Sequence, residues 1–360
     1  MKIAMIGHKR IPGREGGIEV VVEELTSHLV ALGHTVVAYN RKKKGLKQPK
    51  EYKGVQIKVV PTIEKKSTDA VVYSFLSSIH ALFGRYDVIH YHGIGPSLFL
   101  LIPHLFKIRT IVTVHGLNYK TPKWKGLGAK VMKAGEIITA KYADEIIVLS
   151  REQQEYFRRT YNRETLFIPN GTTMEETAEA TVIKERFGLE KDGFVLFVSR
   201  VVPGKGLEYL MDAYKQINTD LPLIIAGDSV FVDDFYQMIR EKASHDNRVK
   251  LIGFVQGDIL RELYSNAKLF VFPSEAEGMP MCLLEALSYD CNCLVSDIPE
   301  NLEVGKEYVH SFHTCDADDL RVKLKDCLKK EGRNNSREYI RKDYSWENVV
   351  EKTLACYKEK

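Results

Sequence analysis

A chain of 360 residues has room for two ordinary domains with separate cores, and its 44% hydrophobic and 28% charged residues give the balance of a water-soluble protein. No apolar run approaches the roughly 20 residues of a membrane-spanning helix, and KIAMIG (2–7) is too short for a signal-peptide core, which predicts a cytosolic protein. The net charge of +4 is unevenly placed: residues 1–172 carry +13 and the remainder −9, so the first half suits an anionic surface or substrate.

KIAMIG reads as a short buried strand, followed by the glycine-bearing loop HKRIPGREGG. The next helix shows a core face at Ile18, Val21, Val22, Leu25, Leu29 and Leu32, and Gly33 ends it. Strand, glycine loop and helix open a doubly wound unit, in which Gly16 and Gly17 would let backbone approach a ligand closely. TVVAYN (35–40) is the next strand. The lysine-rich loop after it is either a solvated loop or a contact for a membrane surface or an anionic acceptor, and VQIKVVP (55–61) returns to strand.

DVIHYHG (87–93) and RTIVTVHG (109–116) are strands that each end at His-Gly. His90 and His92 point the same way along their strand, which suits a packed or hydrogen-bonded pair better than a metal site lacking a third ligand. His115 lies at the carboxyl end of a parallel strand, where open α/β sheets place their ligands. NYKTPKWKG (118–126) has the basic and Trp content of a membrane interface or a site for an acceptor phosphate. EIIVLS (145–150) and TLFIPNG (165–171) complete the first domain, and the acidic stretch TTMEETAEAT reads as a linker.

The second half begins the same way, with the strand FVLFVSR (194–200), the loop VPGKG and a helix over 207–217. Arg200 and Lys205 flank that loop, where glycine backbone and two cations could hold a diphosphate. PLIIAGD (222–228) and RVKLIGFV (248–255) are further strands, and the backbone after Val255 could read a nucleotide base. NCLVSDIPEN delivers Asp297 and Glu300 to the same rim. DADD (316–319) contains an Asp-x-Asp pattern but precedes the apolar spacing Leu320, Leu324, Leu328, so helix capping accounts for it better than metal binding, and no metal is expected. The segment SWENVVEKTLACYK has Trp346, Val349, Val350, Leu354 and Tyr357 on one face of an amphipathic helix. The six cysteines, all in the second half, fit no zinc spacing and are expected as free thiols.

The stretch LFVFPSEAEGMPMCLLEAL (269–287) organises the rest. A buried strand meets a Gly/Pro turn and then a helix, so the N–H groups of Met281, Cys282 and Leu283 form an anion cradle at the helix start. Glu277 sits in the turn and Glu285 in the helix. A carboxylate repels phosphate, so the two acids suit hydroxyls on either side of a diphosphate, as in a nucleotide sugar.

With GREGGIE, VTVHG (112–116), VSRVVPGKG (198–206), AGD (226–228), GFV (253–255) and EGMPMCLLEA (277–286) in this order, the chain resembles the retaining nucleotide-sugar glycosyltransferases of family 4 over nearly its whole length. The resemblance implies the GT-B fold: two facing Rossmann-like doubly wound α/β domains with a C-terminal helix returning to the first. The expected divisions are 1–172 for the acceptor side, 173–343 for nucleotide-sugar binding and 344–360 for the returning helix. Arg200 and Lys205 would bind the donor diphosphate, Glu277 the transferred sugar and Glu285 the ribose. Gly17 would approach the donor phosphates and His115 would lie beside the reacting sugar. The sequence departs from the common pattern at Pro280, Cys282 and Ser229, which bears on donor fit.

The opening GHKRIPGREGGIE also resembles a subset that builds bacterial surface polysaccharide and capsule, including rhamnosyl and glucosyl transferases. That likeness implies a glycan or lipid-diphosphate-linked sugar acceptor at the inner membrane face, peripheral membrane contact through the basic half, no nucleic acid and no cofactor beyond the nucleotide-sugar donor. The rival readings are a nucleotide-sugar epimerase of the same fold and a two-domain sugar-binding protein without chemistry. Donor sugar, base, acceptor and linkage are decided by pocket shape rather than by motif.

Overall fold

The β-branched runs form two separate sheets. The computed structural model describes residues 1–13, 16–63, 68–117, 126–229 and 234–358. It divides into two units, Met1–Gly171 with Trp346–Lys360, and Thr172–Ser345. The loop NYKTPKWKG, apart from Gly126, and residues Arg14 and Glu15 of the glycine motif lie outside the described residues.

The first unit holds β1 (Lys2–Ile6), β2 (Thr35–Arg41), β3 (Glu51–Tyr52), β4 (Val55–Val60), β5 (Val88–His92), β6 (Arg109–Val114), β7 (Glu145–Val148) and β8 (Leu166–Phe167). Their order is β3-β4-β2-β1-β5-β6-β7-β8, and every pairing is parallel except β3 with β4. From β1 the sheet grows in both directions, which leaves a crevice at the carboxyl ends of β1 and β5 where the chain direction of winding reverses. Gly7, just beyond β1, has φ +125°, and a Cβ there would meet the His92 carbonyl oxygen at 2.3 Å, so only glycine permits this approach. Ile6, Tyr39, Tyr91, Val112, Val148 and Phe157 are among the buried side chains of its core.

The second unit holds β9 (Val195–Val198), β10 (Leu223–Ala226), β11 (Val249–Gly253), β12 (Leu269–Phe272), β13 (Cys293–Ser296) and β14 (Val309–Phe312). These are all parallel in the order β11-β10-β9-β12-β13-β14, with the reversal between β9 and β12. Phe197, Leu210, Tyr214, Ile225, Val271 and Leu324 fill its core. Two Rossmann-like α/β units of the GT-B kind with a C-terminal helix are the fold the sequence implies.

That helix, Trp346–Lys358, packs within the first unit. Trp346 stacks on His28, the Tyr357 hydroxyl lies 2.7 Å from His90 Nδ1, and Arg109 donates to the Cys356 carbonyl at 2.8 Å. Its covered face is corrected in one respect: Thr353 and Cys356 are buried with Trp346, Val349, Val350 and Tyr357, whereas Leu354 is only half-buried. A second correction falls on the helix Gly17–Ala31, where Leu32 caps the end and is exposed while Glu19 and Glu23 are buried. Glu19 accepts the Lys9 N–H at 2.9 Å and Glu23 accepts the Tyr52 hydroxyl at 3.1 Å, which explains how two carboxylates sit on a covered face.

The stretch read as a linker is laid against the second unit. Ala178 N–H donates to Ser265 Oγ at 3.0 Å, Thr181 N–H to Glu262 at 3.0 Å, and Tyr289 OH to Glu175 at 3.1 Å. Of its acids, Glu175 accepts from Tyr289 and Glu176 from Arg337 at 3.0 Å, so the stretch is bonded to the unit rather than a free tether. At 316–319 the Asp316 side chain accepts from the Asp318 and Asp319 N–H groups, the helix cap the sequence predicts.

Candidate functional site

In the second unit the reversal point brings two loops together. Residues 199–206 leave β9 and residues 273–280 leave β12, both at carboxyl ends. Gly206 has φ +69°, and a Cβ there would stand 1.9 Å from the Pro273 carbonyl oxygen, so the two loops touch backbone to backbone only because residue 206 is glycine. The Glu275 N–H closes the seam on the Gly204 oxygen at 3.0 Å, and Tyr209 donates to the Glu275 carboxylate.

On this seam Lys205 and Glu277 form an ion pair through Glu277 Oε1, and both side chains are largely shielded from water. Ser274 donates to the same oxygen at 2.6 Å, and the Lys205 ammonium stands 5.6 Å from the centre of the Phe272 ring. Both bonds fall on Oε1. Among the described residues Oε2 has no partner, so that oxygen can still accept a hydrogen bond. Lys205 keeps further N–H donors for an anion while Glu277 fixes where they point. Arg200 is exposed on the first of the two loops, with no ion pair to another described residue.

Glu285, in the helix Met281–Ser288, accepts the Tyr264 hydroxyl at 3.0 Å. Cys282 lies between these acids and Tyr264; burial first, and then the Glu285 charge, pushes its thiol up to about 12. It is a neutral thiol in the site. The cradle expected from three free amides is corrected, because the Met281 N–H bonds the Met279 oxygen at 3.1 Å and the Leu283 N–H bonds the Pro280 oxygen at 3.1 Å. The turn itself consumes two of the three donors. Asp297 is likewise tied down, accepting the Thr314 N–H at 2.9 Å and its hydroxyl at 2.6 Å. Val255 follows β11 at the same carboxyl edge and is half-buried.

In the first unit Gly16 and Gly17 stand at the start of the helix Gly17–Ala31, and Gly17 is exposed. Gly16 is extended, a shape any residue adopts; its smallness clears the Glu19 carboxylate, 2.9 Å from where a Cβ would be. His115 follows β6, with Nε2 3.0 Å from His92 Nδ1 and the two rings stacked at 5.3 Å. His90 bonds Tyr357 and, at 2.7 Å, Thr113, so the strand pair is packed and hydrogen-bonded. Burial holds His115 down to about 4 and His90 to about 3. The stack is uncharged near neutrality, so His115 can offer a hydrogen bond to a ligand but no positive charge.

The motifs do not by themselves name Ser274, Tyr264 or His92 as partners of the predicted site residues. Ser274 precedes Glu277 by three positions in the same motif, a signal that was available. Tyr264 comes from the preceding helix and His92 from another strand, and no linear spacing announces either contact.

Residues 180–344 match the family of glycosyl transferases group 1, and residues 15–176 match glycosyltransferase family 4. The chain is a GT-B-fold glycosyltransferase. Over 99% of its length this glycosyltransferase is 25% identical to an uncharacterised glycosyltransferase of Methanocaldococcus jannaschii, of which it covers 98%. It is 30% identical over 67% of its length to an Escherichia coli UDP-Gal:α-D-GlcNAc-diphosphoundecaprenol α-1,3-galactosyltransferase, covering 66% of that protein. Among solved structures, Anabaena HepE in complex with UDP and glucose superposes with a TM-score of 0.83 at 16% identity, covering 99% of this chain and 98% of that one. The latter likeness is one of fold.

Proposed function

We propose that this glycosyltransferase belongs to family 4 and moves a hexosyl or deoxyhexosyl group from a nucleoside diphosphate sugar to an acceptor hydroxyl with retention at the anomeric carbon. The observation that carries the reading is the Lys205–Glu277–Ser274 constellation at the reversal point of the second sheet, with Arg200 on the same loop as Lys205. It places cations for a diphosphate next to a carboxylate for a hydroxyl, the two chemistries a nucleotide sugar presents.

As the anomeric C–O bond breaks, negative charge grows on the leaving diphosphate, and Arg200 and Lys205 stabilise it where it develops. Glu277 has two tasks in this scheme: Oε1 orients Lys205, and Oε2 accepts from the transferred sugar. Glu285, held by Tyr264, accepts from the ribose. In this scheme the acceptor attacks from the face the diphosphate leaves, and a phosphate oxygen takes its proton. Gly16 and Gly17 approach the donor phosphates and neutral His115 hydrogen-bonds the reacting sugar.

The setting we propose is a bacterial surface glycan, with a glycan or lipid-diphosphate-linked sugar as acceptor. The named activity of the E. coli galactosyltransferase relative and the +13 charge of residues 1–172 support peripheral contact of this half with an anionic membrane. No helix among the described residues is long and apolar enough to cross a membrane.

Lys205→Ala and Glu277→Ala are each expected to lower the rate of acceptor-dependent nucleotide release by on the order of a hundredfold or more, corresponding to about 2 to 4 kcal/mol of barrier. Turnover at the parent rate would remove the assignment. A thermal-shift panel of nucleoside diphosphates and their sugars identifies the base, since the bound ligand raises the melting temperature.

A further inference from the structure

One surface of the first unit is at odds with its basic, polar surroundings. The helix Asp69–Leu82 exposes Val71, Phe75 and Ile79, and Phe83 follows directly as its cap with 81% of its surface in water. Successive steps of four residues turn the helix by about 40°, so these four side chains share an arc of about 120°. The neighbouring helix Leu101–Leu105 adds Leu105 and Phe106, which are 78% and 66% exposed. Phe75 meets Phe99 edge-on at 5.5 Å, which joins the two segments into one apolar ridge. Large exposed aliphatic and aromatic side chains grouped in this way mark an interaction site.

Cations outnumber acids beside the ridge. Arg85 and Lys107 are exposed next to Phe83 and Phe106, and the Lys2 ammonium is fixed at the Gly84 carbonyl at 2.8 Å. The nearby acids are already engaged: Asp87 accepts the Lys2 N–H at 2.6 Å, and Asp69 pairs with Arg41 at 3.0 Å. A second copy of this chain would bring the same cations against these. An anionic bilayer matches both features, taking the apolar side chains below its headgroups and the cations at their level.

We propose that this ridge seats the first unit on the surface of an anionic lipid bilayer. The inference rests on the membrane contact proposed for the basic half and names the surface that makes it. It also has a geometric consequence. The ridge helix starts where Arg41 links Asp69 to the Gly7 carbonyl, so its exposed face runs from the carboxyl rim of the sheet towards the amino edge. A lipid surface along the helix lies beside the rim where His115 and the Gly16 loop stand.

The test is co-sedimentation of the full chain with vesicles of equal parts phosphatidylglycerol and phosphatidylcholine, and with phosphatidylcholine alone. The parent is expected to bind the anionic vesicles only. The double variant Phe83→Asp with Phe106→Asp is expected to bind about tenfold more weakly or worse, with its melting temperature and its nucleotide thermal shift unchanged. Phe83→Ser with Phe106→Ser, which adds no charge, is expected to weaken binding in the same direction. Parent-like binding by both double variants would overturn the ridge and leave the basic-half reading standing. Failure of the parent to bind anionic vesicles would overturn both, as would a ridge-dependent dimer or acidic protein partner found in place of lipid binding.

Discussion

At the scale of single residues, the site joins groups that the sequence presents apart. Lys205 and Glu277 are legible as motif members, because each sits in a short glycine-marked string with its own chemistry. Their direct pairing is not legible, since it depends on the approach of two loops that follow strands 9 and 12 in the chain. Cys282 makes a residue-scale test of that environment. A thiol pushed up to about 12 by burial beside Glu285 carries almost no thiolate at pH 8, whereas Cys315 is exposed. Iodoacetamide is expected to label Cys315 well before Cys282, read by peptide mass spectrometry; prior labelling of Cys282 would mean that its surroundings are wetter and less acidic than described.

Two elements depend on single atoms. The seam between residues 199–206 and 273–280 has no room for a side chain at Gly206, where a methyl group would collide with the Pro273 carbonyl and the backbone is left-handed. Gly206→Ala is expected to abolish the nucleotide thermal shift and to lower stability by about 1 to 3 kcal/mol in urea titrations, mostly from displaced backbone. The helix Trp346–Lys358 is anchored by the Tyr357 hydroxyl on buried His90. Tyr357→Phe keeps the ring but leaves His90 Nδ1 without that partner, an expected cost of about 1 to 3 kcal/mol on urea unfolding. The periodicity of this helix was readable in advance, but the choice of Thr353 and Cys356 over Leu354 was not. A helical stripe broadens or rotates according to what it lies against, and the sequence shows only one of the two surfaces.

For the whole molecule, the parallel strands, their glycine-marked exits and the repetition of strand, loop and helix in both halves made the fold readable, because each signal is local and periodic. Histidine packing was not, since it gathers strands 5 and 6 and the first loop. Burial lowers His8 and His115 to about 4 and His90 to about 3, against an ordinary value of 6.5 in the unfolded chain. Between pH 6.5 and about 4 the unfolded chain therefore binds more protons than the folded one, and stability falls as pH falls through that window. The melting temperature is expected to decline steadily from pH 7 to pH 4.5, while the ring resonances of these histidines stay unshifted down to pH 5 in NMR titrations. The interrupted first unit carries a consequence for biosynthesis. A ribosome makes all of Thr172–Ser345 before the helix that covers His90 and Arg109, so the earlier unit stays partly uncovered on the nascent chain until its closing segment arrives from beyond the later one.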